Sequence, residues 1–460
     1  MTINRTICSA MVALAFSSQI NASPLVTELS HLVSTHPLLK ASENNKEATR
    51  LTTKSVKASL LPTIRLTGSV GNEDISSQSY LPDESFNLGN NGVGPEQYSD
   101  LNGNKFGVSL ETSLYAGGRD VARIADANLN IQLKEAEHRG LTQDVLLEGI
   151  TAYLQVARYL TLIELTKENE NSTRNQLELE RKRVEAGGGV EVDALQAKTR
   201  LQVVRERSVF YRQALRDVLA NYEQVFGHAP KMDQLQALDI FEQEMPMTLP
   251  EALATSVRLS PNMTAASIQT DKANESVNIA KSAYKPKIDF VINKSRDRNT
   301  NMLANRSDFF AGVKMTWEFN LGGESLYQKD SAIQSSLAQM QRAENIRNKT
   351  TESVRMSWNQ VINGKERLEL LVDASSIAKQ VMQDRKKLRD AGKETALSVL
   401  DAEVEYYGVL ANRINALYDT RINSYRLLSA IGKLNAESIG LNSGELRLPV
   451  QSLKVDLDQL

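Results

Sequence analysis

Apolar and polar side chains alternate with a period of two in four short stretches of this chain. Phe106, Val108, Leu110 and Leu114 alternate with Lys105, Ser109, Glu111 and Ser113, and Val313, Met315, Trp317, Phe319 and Leu321 alternate with Lys314, Thr316, Glu318 and Asn320. A weaker partner precedes each: Ile64, Leu66 and Val70 against Arg65, Thr67 and Ser69, then Ile288, Phe290 and Ile292 against Lys287, Asp289 and Asn293. Such a period puts apolar groups on one face of a strand and polar groups on the other. It predicts strands at about 60–72, 104–116, 286–296 and 308–321. The pattern fits a soluble antiparallel sheet with one wet face, or strands of the roughly 9–11 residues that span a bilayer. Bacterial membrane barrels start at about eight strands, so a barrel would have to be shared by several chains.

Elsewhere the period is helical. Residues 119–185 and 324–390 contain no proline, and each stretch of about 67 residues would run roughly 100 Å as a helix. Leu146, Ile150, Tyr153, Ala157 and Leu160 recur at the alternating four-and-three spacing of a coiled-coil seam. Leu400, Val404, Tyr407, Ala411, Ile414 and Tyr418 do the same on a later helix. The run LELERKRVEA (177–186) reads as a solvated helix face. Glycine clusters at 187–189 and at Gly392 stop the two long helices, because glycine adopts left-handed backbone angles cheaply. Two helical hairpins follow, 119–226 with its tip at 186–190 and 324–431 with its tip at 391–394. Seams this narrow cannot bury a core alone, so neighbouring chains must cover them.

The chain is an internal duplication. THPLLKAS (35–42) and ASLLPTI (58–64) answer LSPNMTAAS (259–267) and SAYKPKI (282–288), and 25 positions separate Pro37 from Pro62 and Pro261 from Pro286. At a constant offset of 205, Gly117 answers Gly322, Tyr153 answers Trp358, Ala186-Gly187 answers Ala391-Gly392, and Gly227 answers Gly432. The first half is 19 residues longer between its proline and its Gly-Gly pair, around the polar, Gly/Asn-rich segment 86–103, a loop. The division is then residues 1–22, a signal peptide; 23–230, the first repeat; 231–247, a linker; 248–435, the second repeat; and 436–460, a C-terminal tail.

Arg5, the apolar run from Ile7 to Phe16 and the small residue Ala22 carry the signal-peptide reading. Cys8, within the signal, is the only cysteine, so the mature chain has no thiol chemistry. With 54 basic and 56 acidic residues, there is no basic excess to attract nucleic acid. No apolar run approaches 18 residues, so entry into a membrane requires a closed β-barrel. His31, His36, His138 and His228 show no metal-ligand spacing, and no P-loop or nucleophile elbow is present. No catalytic residue, cofactor or metal site is expected.

The doubled order of features closely resembles the TolC-like outer-membrane efflux and export factors. It comprises A-x-L-L-P-T-I, Y-A-G-G-R, R-V-E-A-G and D-A-L-Q-A, repeated as S-A-Y-K-P-K-I, N-L-G-G, L-R-D-A-G and S-V-L-D-A, and covers about residues 24–435. The resemblance implies a mainly α protein with membrane β, in which each half supplies two strands and a long hairpin. A homotrimer would form a 12-stranded β-barrel continuing into a 12-helix α-barrel, in the Gram-negative outer membrane and periplasm. It also implies no enzyme activity and two partners: a periplasmic adaptor, and an inner-membrane pump that is either ABC-type or proton-driven. The cargo expected is protein, by type I secretion, with small-molecule efflux as the alternative. In this family, acidic groups past the tip glycines line the periplasmic aperture, here Asp193, Ser398 and Asp401, with Arg389 and Glu394 at the positions of gating links. Ser398 replaces a frequent family Asp, and Glu394 reverses a charge, so Arg389–Glu394 or Lys393–Glu394 pairing is expected instead. Adaptor docking is assigned to Ala186, Gly187 and Gly188 and to Ala391, Gly392 and Lys393. A periplasmic coiled-coil adaptor without a pore explains the helices, but not the four amphipathic strands.

Overall fold

A computed structural model describes residues 24–77, 97–232, 237–238, 245–298, 306–435 and 450–451. The expected signal peptide, much of the 86–103 loop and most of the tail lie outside the described residues. The chain is mainly helical, and each half opens with two helices in place of the one short helix expected. These are α1 (Pro24–Thr35) and α2 (Pro37–Ala58) in the first half, then α5 (Leu249–Leu259) and α6 (Pro261–Lys281) in the second. Pro37 and Pro261 each begin a helix, where the missing N–H costs nothing. The long helices are α3 (Arg119–Glu185) and α7 (Glu324–Asp390), each of 67 residues. The returning helices are α4 (Glu191–Phe226) and α8 (Ala396–Ala430).

The chain divides into two compact units. One holds residues 1–40, 139–261 and 349–460; the other holds 41–138 and 262–348. In the first, Leu25, Leu29 and Leu32 of α1 are fully buried with Leu146, Ile150 and Tyr153 of α3 and with Tyr222 and Phe226 of α4. Burial of each such side chain stabilises by about 1.5–3 kcal/mol. The α3 seam follows the sequence spacing from Leu146 to Ala157. On α8, Leu400, Ile414 and Tyr418 of the expected seam are buried and Tyr407 and Ala411 are partly buried against the core, whereas Val404 is 44% exposed; Val399, Glu403, Tyr406 and Leu410 are buried beside them. The expected seam is corrected at Val404 alone, where Glu403 is buried instead. The reason is Glu403: a buried carboxylate holds a seam position that an apolar pattern skips. Also in this unit, β3 (Ala237–Leu238) of the linker pairs with β6 (Val450–Gln451) near the chain's end.

In the second unit, β1 (Thr63–Ser77), β2 (Gln97–Ala116), β4 (Lys287–Arg298) and β5 (Arg306–Thr316) form one antiparallel sheet in the order β1-β2-β4-β5. It is open, with β1 and β5 at its edges. A bulge at Leu114 shifts the register between Ser113 and Tyr115. Strand β5 ends at Thr316, short of the expected 321. Its partner β4 begins at Lys287, opposite Thr316, so no ladder remains for Trp317–Leu321. Trp317 instead donates its indole N–H to the Tyr284 carbonyl at 3.3 Å, and the Asn320 side chain accepts the Gly322 N–H at 3.0 Å in a turn.

Candidate functional site

The hairpin turns close in the same way in both repeats. Gly187 N–H donates to the Val184 carbonyl and Gly188 N–H to the Arg183 carbonyl, both at 3.0 Å. Gly392 N–H donates to the Arg389 carbonyl and Lys393 N–H to the Leu388 carbonyl, both at 2.9 Å. These paired bonds satisfy the last carbonyls of each long helix. They require φ of 75° at Gly187 and 72° at Gly392, which a side chain would strain. Ala186, Gly187, Gly188, Ala391, Gly392 and Lys393 are all exposed.

The return helices start differently. Thr395 caps α8: its hydroxyl accepts the Ser398 N–H at 3.2 Å and lies 2.9 Å from the Ser398 hydroxyl. That places Ser398 at the third position of a capped first turn, its hydroxyl against that of the capping Thr395. Val190 precedes α4 with no side-chain cap. Glu191 and Asp193 stand in the first turn of α4, where the helix dipole favours negative charge.

Three of the candidate residues are tied by ion pairs, and not in the expected pairing. Asp401 accepts from Arg200 of α4 at 2.9 Å, with both side chains well exposed. Glu394 pairs with Arg385, one turn before Arg389, at 3.4 Å. The expected Arg389–Glu394 pair is absent, and Lys393 forms no ion pair among the described residues. Arg389 points into the hairpin–hairpin seam, where it bonds Glu180 and Gln176 of α3 and is only 5% exposed. Burial pushes its guanidinium below the usual range, against the opposing pull of Asp390 and Glu403. Within one chain, Arg389 therefore belongs to the seam between the two hairpins.

One turn further from the tip, buried Glu403 accepts from Lys386 at 2.6 Å and from the Ser172 hydroxyl at 2.8 Å. The sequence pattern alone did not single out Gln176, Glu180, Glu403 or Arg200. A signal for the α3 set was present, because Ser172, Gln176 and Glu180 recur every four residues as a polar stripe. The tips thus present a partly exposed carboxylate at Asp193 and an exposed one at Asp401 over a buried, paired set of charges. Among the described residues, no cluster of His, Cys, Asp and Glu could hold a metal ion, and no helix is long and apolar enough to cross a membrane.

Comparison with known proteins gives the outer membrane efflux protein family, whose model matches residues 29–228 and 253–433. The outer membrane efflux protein BepC of Brucella suis is 22% identical over 74% of this chain and 75% of its own length. The alkaline protease secretion protein AprF of Pseudomonas aeruginosa is 23% identical over 67% of this chain and 66% of its own. The CmeC outer membrane channel of Campylobacter jejuni is 14% identical but superimposes with a TM-score of 0.73 over 96% of both chains, a likeness of fold.

Proposed function

Because the chain belongs to the outer membrane efflux protein family, we propose that three copies close one 12-stranded barrel and together form the exit duct of a protein exporter. Membership already makes the chain an outer-membrane channel of tripartite systems, reaching from the Gram-negative outer membrane into the periplasm. The observation that carries the shared barrel is the sheet itself. Edge strands β1 and β5 each pair on one side only. Its apolar face is uncovered: Leu66 and Phe309 are each 67% exposed, and Val70 is 88% exposed. Lipid tolerates no open sheet edge, and three chains of four strands give twelve. The mass of the mature protein in mild detergent, corrected for detergent, tests this. Three chains support the barrel; a clean monomer overturns it.

The tips fit the adaptor, which docks at Ala186–Gly188 and Ala391–Lys393 and brings the inner-membrane pump. Asp401 and Asp193, repeated by the three-fold axis, ring the periplasmic aperture with negative charge. Ser398, Glu394 and Arg389 support that ring from behind. Protein cargo is favoured by the R-V-E-A-G and D-A-L-Q-A tip wording and by likeness to a protease-secretion protein. BepC, described as an efflux protein, favours the second reading, small-molecule efflux. Deleting the gene separates them: loss of a large secreted protein from the medium supports the first, and drug hypersensitivity with secretion intact supports the second.

A further inference from the structure

The two faces of the sheet carry different charges. The register places Ile64, Leu110, Ile292 and Ala311 in one row of the apolar face, and Leu66, Val108, Lys294 and Phe309 in the next. Further along β4, on that same face, stand Arg296 opposite Phe106 and Arg298 opposite Asn104. The carboxylates of Glu111, Asp289, Asp297 and Asp308 all take the alternate positions, on the other face. From the row of Ile64 to the row of Val70, the apolar face therefore holds Lys294, Arg296 and Arg298 and no carboxylate. Lys294, Arg296 and Arg298 are all exposed, and neither arginine has an ion-pair partner among the described residues.

Depth along the strand adds meaning. The helices leave the sheet at Ala116, Lys287 and Thr316, and aromatic rings gather there. The Trp317 and Phe319 rings lie 4.9 Å apart at a tilt of 39°, Trp317 bonds the Tyr284 backbone, and Tyr115 and Tyr284 are each more than two-fifths exposed. Aromatic girdles mark the edge of a barrel's apolar band. From Lys287 to Arg296 is nine steps. At roughly 3.3 Å each and a tilt of about 40°, that is ~23 Å of height, close to the band of about 25 Å that barrels present. Arg296 and Arg298 thus stand at the opposite edge of the band, at the end away from the helices, with Lys294 just inside it. The Lys294 Nζ lies over the Phe309 ring, 6.0 Å from its centroid, a cation–π placement on the apolar face. Arg296 and Arg298 flank a groove of about 390 Å³ whose floor includes Gly68 and Phe106. No atom lies within 4 Å of where a Gly68 Cβ would stand, so the floor is open.

The geometry points to a binding site for a phosphate-bearing lipid headgroup of the outer leaflet, with Arg296 and Arg298 on the phosphate and Lys294 beside them. It rests on the membrane-barrel reading, because only in a barrel does this face meet lipid. The lipid is the phosphorylated glucosamine glycolipid that builds that leaflet. Phosphate matches the forked guanidinium donors, and acyl chains would continue down the apolar strands next to Phe106 and Leu110.

The test is native mass spectrometry of the detergent-solubilised protein with three probes: diphosphorylated lipid A, its dephosphorylated form, and inorganic phosphate. Lipid A should remain bound to wild type. Occupancy should fall about fivefold for each charge removed, so ~25-fold in the Arg296→Gln/Arg298→Gln pair. Lys314→Gln, on the opposite face, should bind as wild type. Equal binding by the double variant, equal binding of the dephosphorylated lipid, or full displacement by inorganic phosphate overturns the lipid site. If the protein is an intact trimer, that result leaves the barrel standing. A monomer absent from the outer membrane removes both.

Discussion

Two ion pairs near the tips differ in burial, and burial decides what each is worth. Glu180 and Arg389 are 3% and 5% exposed, whereas Arg200 and Asp401 are 40% and 54% exposed. Replacing Glu180 with Leu strips Arg389 of its carboxylate and leaves a buried cation with Gln176 alone. Breaking a buried pair in this way costs about 3–5 kcal/mol, mostly for the charge left behind. The burial that already pushes Arg389 below its usual range works in the same direction. Replacing both residues, Glu180→Leu with Arg389→Met, removes both desolvation penalties, so the double variant should lie within ~1 kcal/mol of wild type or above it. The region is a hairpin end, so the loss should appear first as local opening. Hydrogen exchange over residues 170–190 and 380–405 is the assay. Roughly a hundredfold faster exchange is expected in each single variant, near-wild-type exchange in the double variant, and less than about fivefold change in Arg200→Ala. The reasoning fails if Glu180→Leu and Arg200→Ala accelerate exchange equally, or if the two seam substitutions add.

Asp401→Ala should weaken cation selectivity and block by polyvalent cations in planar bilayers, because it removes a carboxylate from the proposed ring and frees Arg200; unchanged conductance takes Asp401 out of the pore. Gly187→Ala and Gly392→Ala should each cost about 1–2 kcal/mol from backbone angle alone, since each glycine has open space around it. Gly189→Ala should cost more in thermal unfolding, because its methyl would lie 2.8 Å from the Val184 nitrogen. His138 is held below the usual imidazole range by burial and then by Lys46, with Glu43 opposing. Its folded pKa is depressed, so its contribution is full above the unfolded value of about 6.5 and is lost as pH falls through the folded value. His138→Gln should therefore flatten the decline in melting temperature between about pH 7 and about pH 5, and an unaltered slope would count against this assignment.

The elements were legible because local chemistry determines them. Alternation marked the four strands, and absence of proline with glycine stops marked the hairpins. The C-terminal limit of β5 was not legible: Trp317, Phe319 and Leu321 continue the alternation, but strand length is decided by the partner, and β4 starts opposite Thr316. The place of Glu403 in the α8 seam was missed for a related reason. Apolar periodicity skips charged residues, and Glu403 is a seam residue because Lys386 and Ser172 reach it from other helices. Among the site residues, the glycine tips were visible as composition. The partners of Arg389 lie more than 200 positions away in α3, beyond any local pattern.

The duplication sharpens this point. At the offset of 205, Glu180 corresponds to Arg385, Gln176 to Val381, and Arg389 to Val184. A seam that had kept the symmetry of its two halves would hold a second copy of the Glu180–Arg389 pair, between Arg385 and Val184, which cannot form an ion pair. Arg385 turns instead to Glu394 within its own hairpin. Likewise Asp401 and Arg200 correspond to Gln196 and Glu405, which offer no reciprocal bridge of opposite charges. The backbone repeats, down to matching bonds at both tips, while the charges between hairpins do not. Each hairpin therefore recognises the other by a charge set present in one copy only. Replacing the second tip with a copy of the first would set Val opposite Glu180, and the reverse replacement would set Arg opposite Arg389, a cost that sequence similarity between the halves conceals.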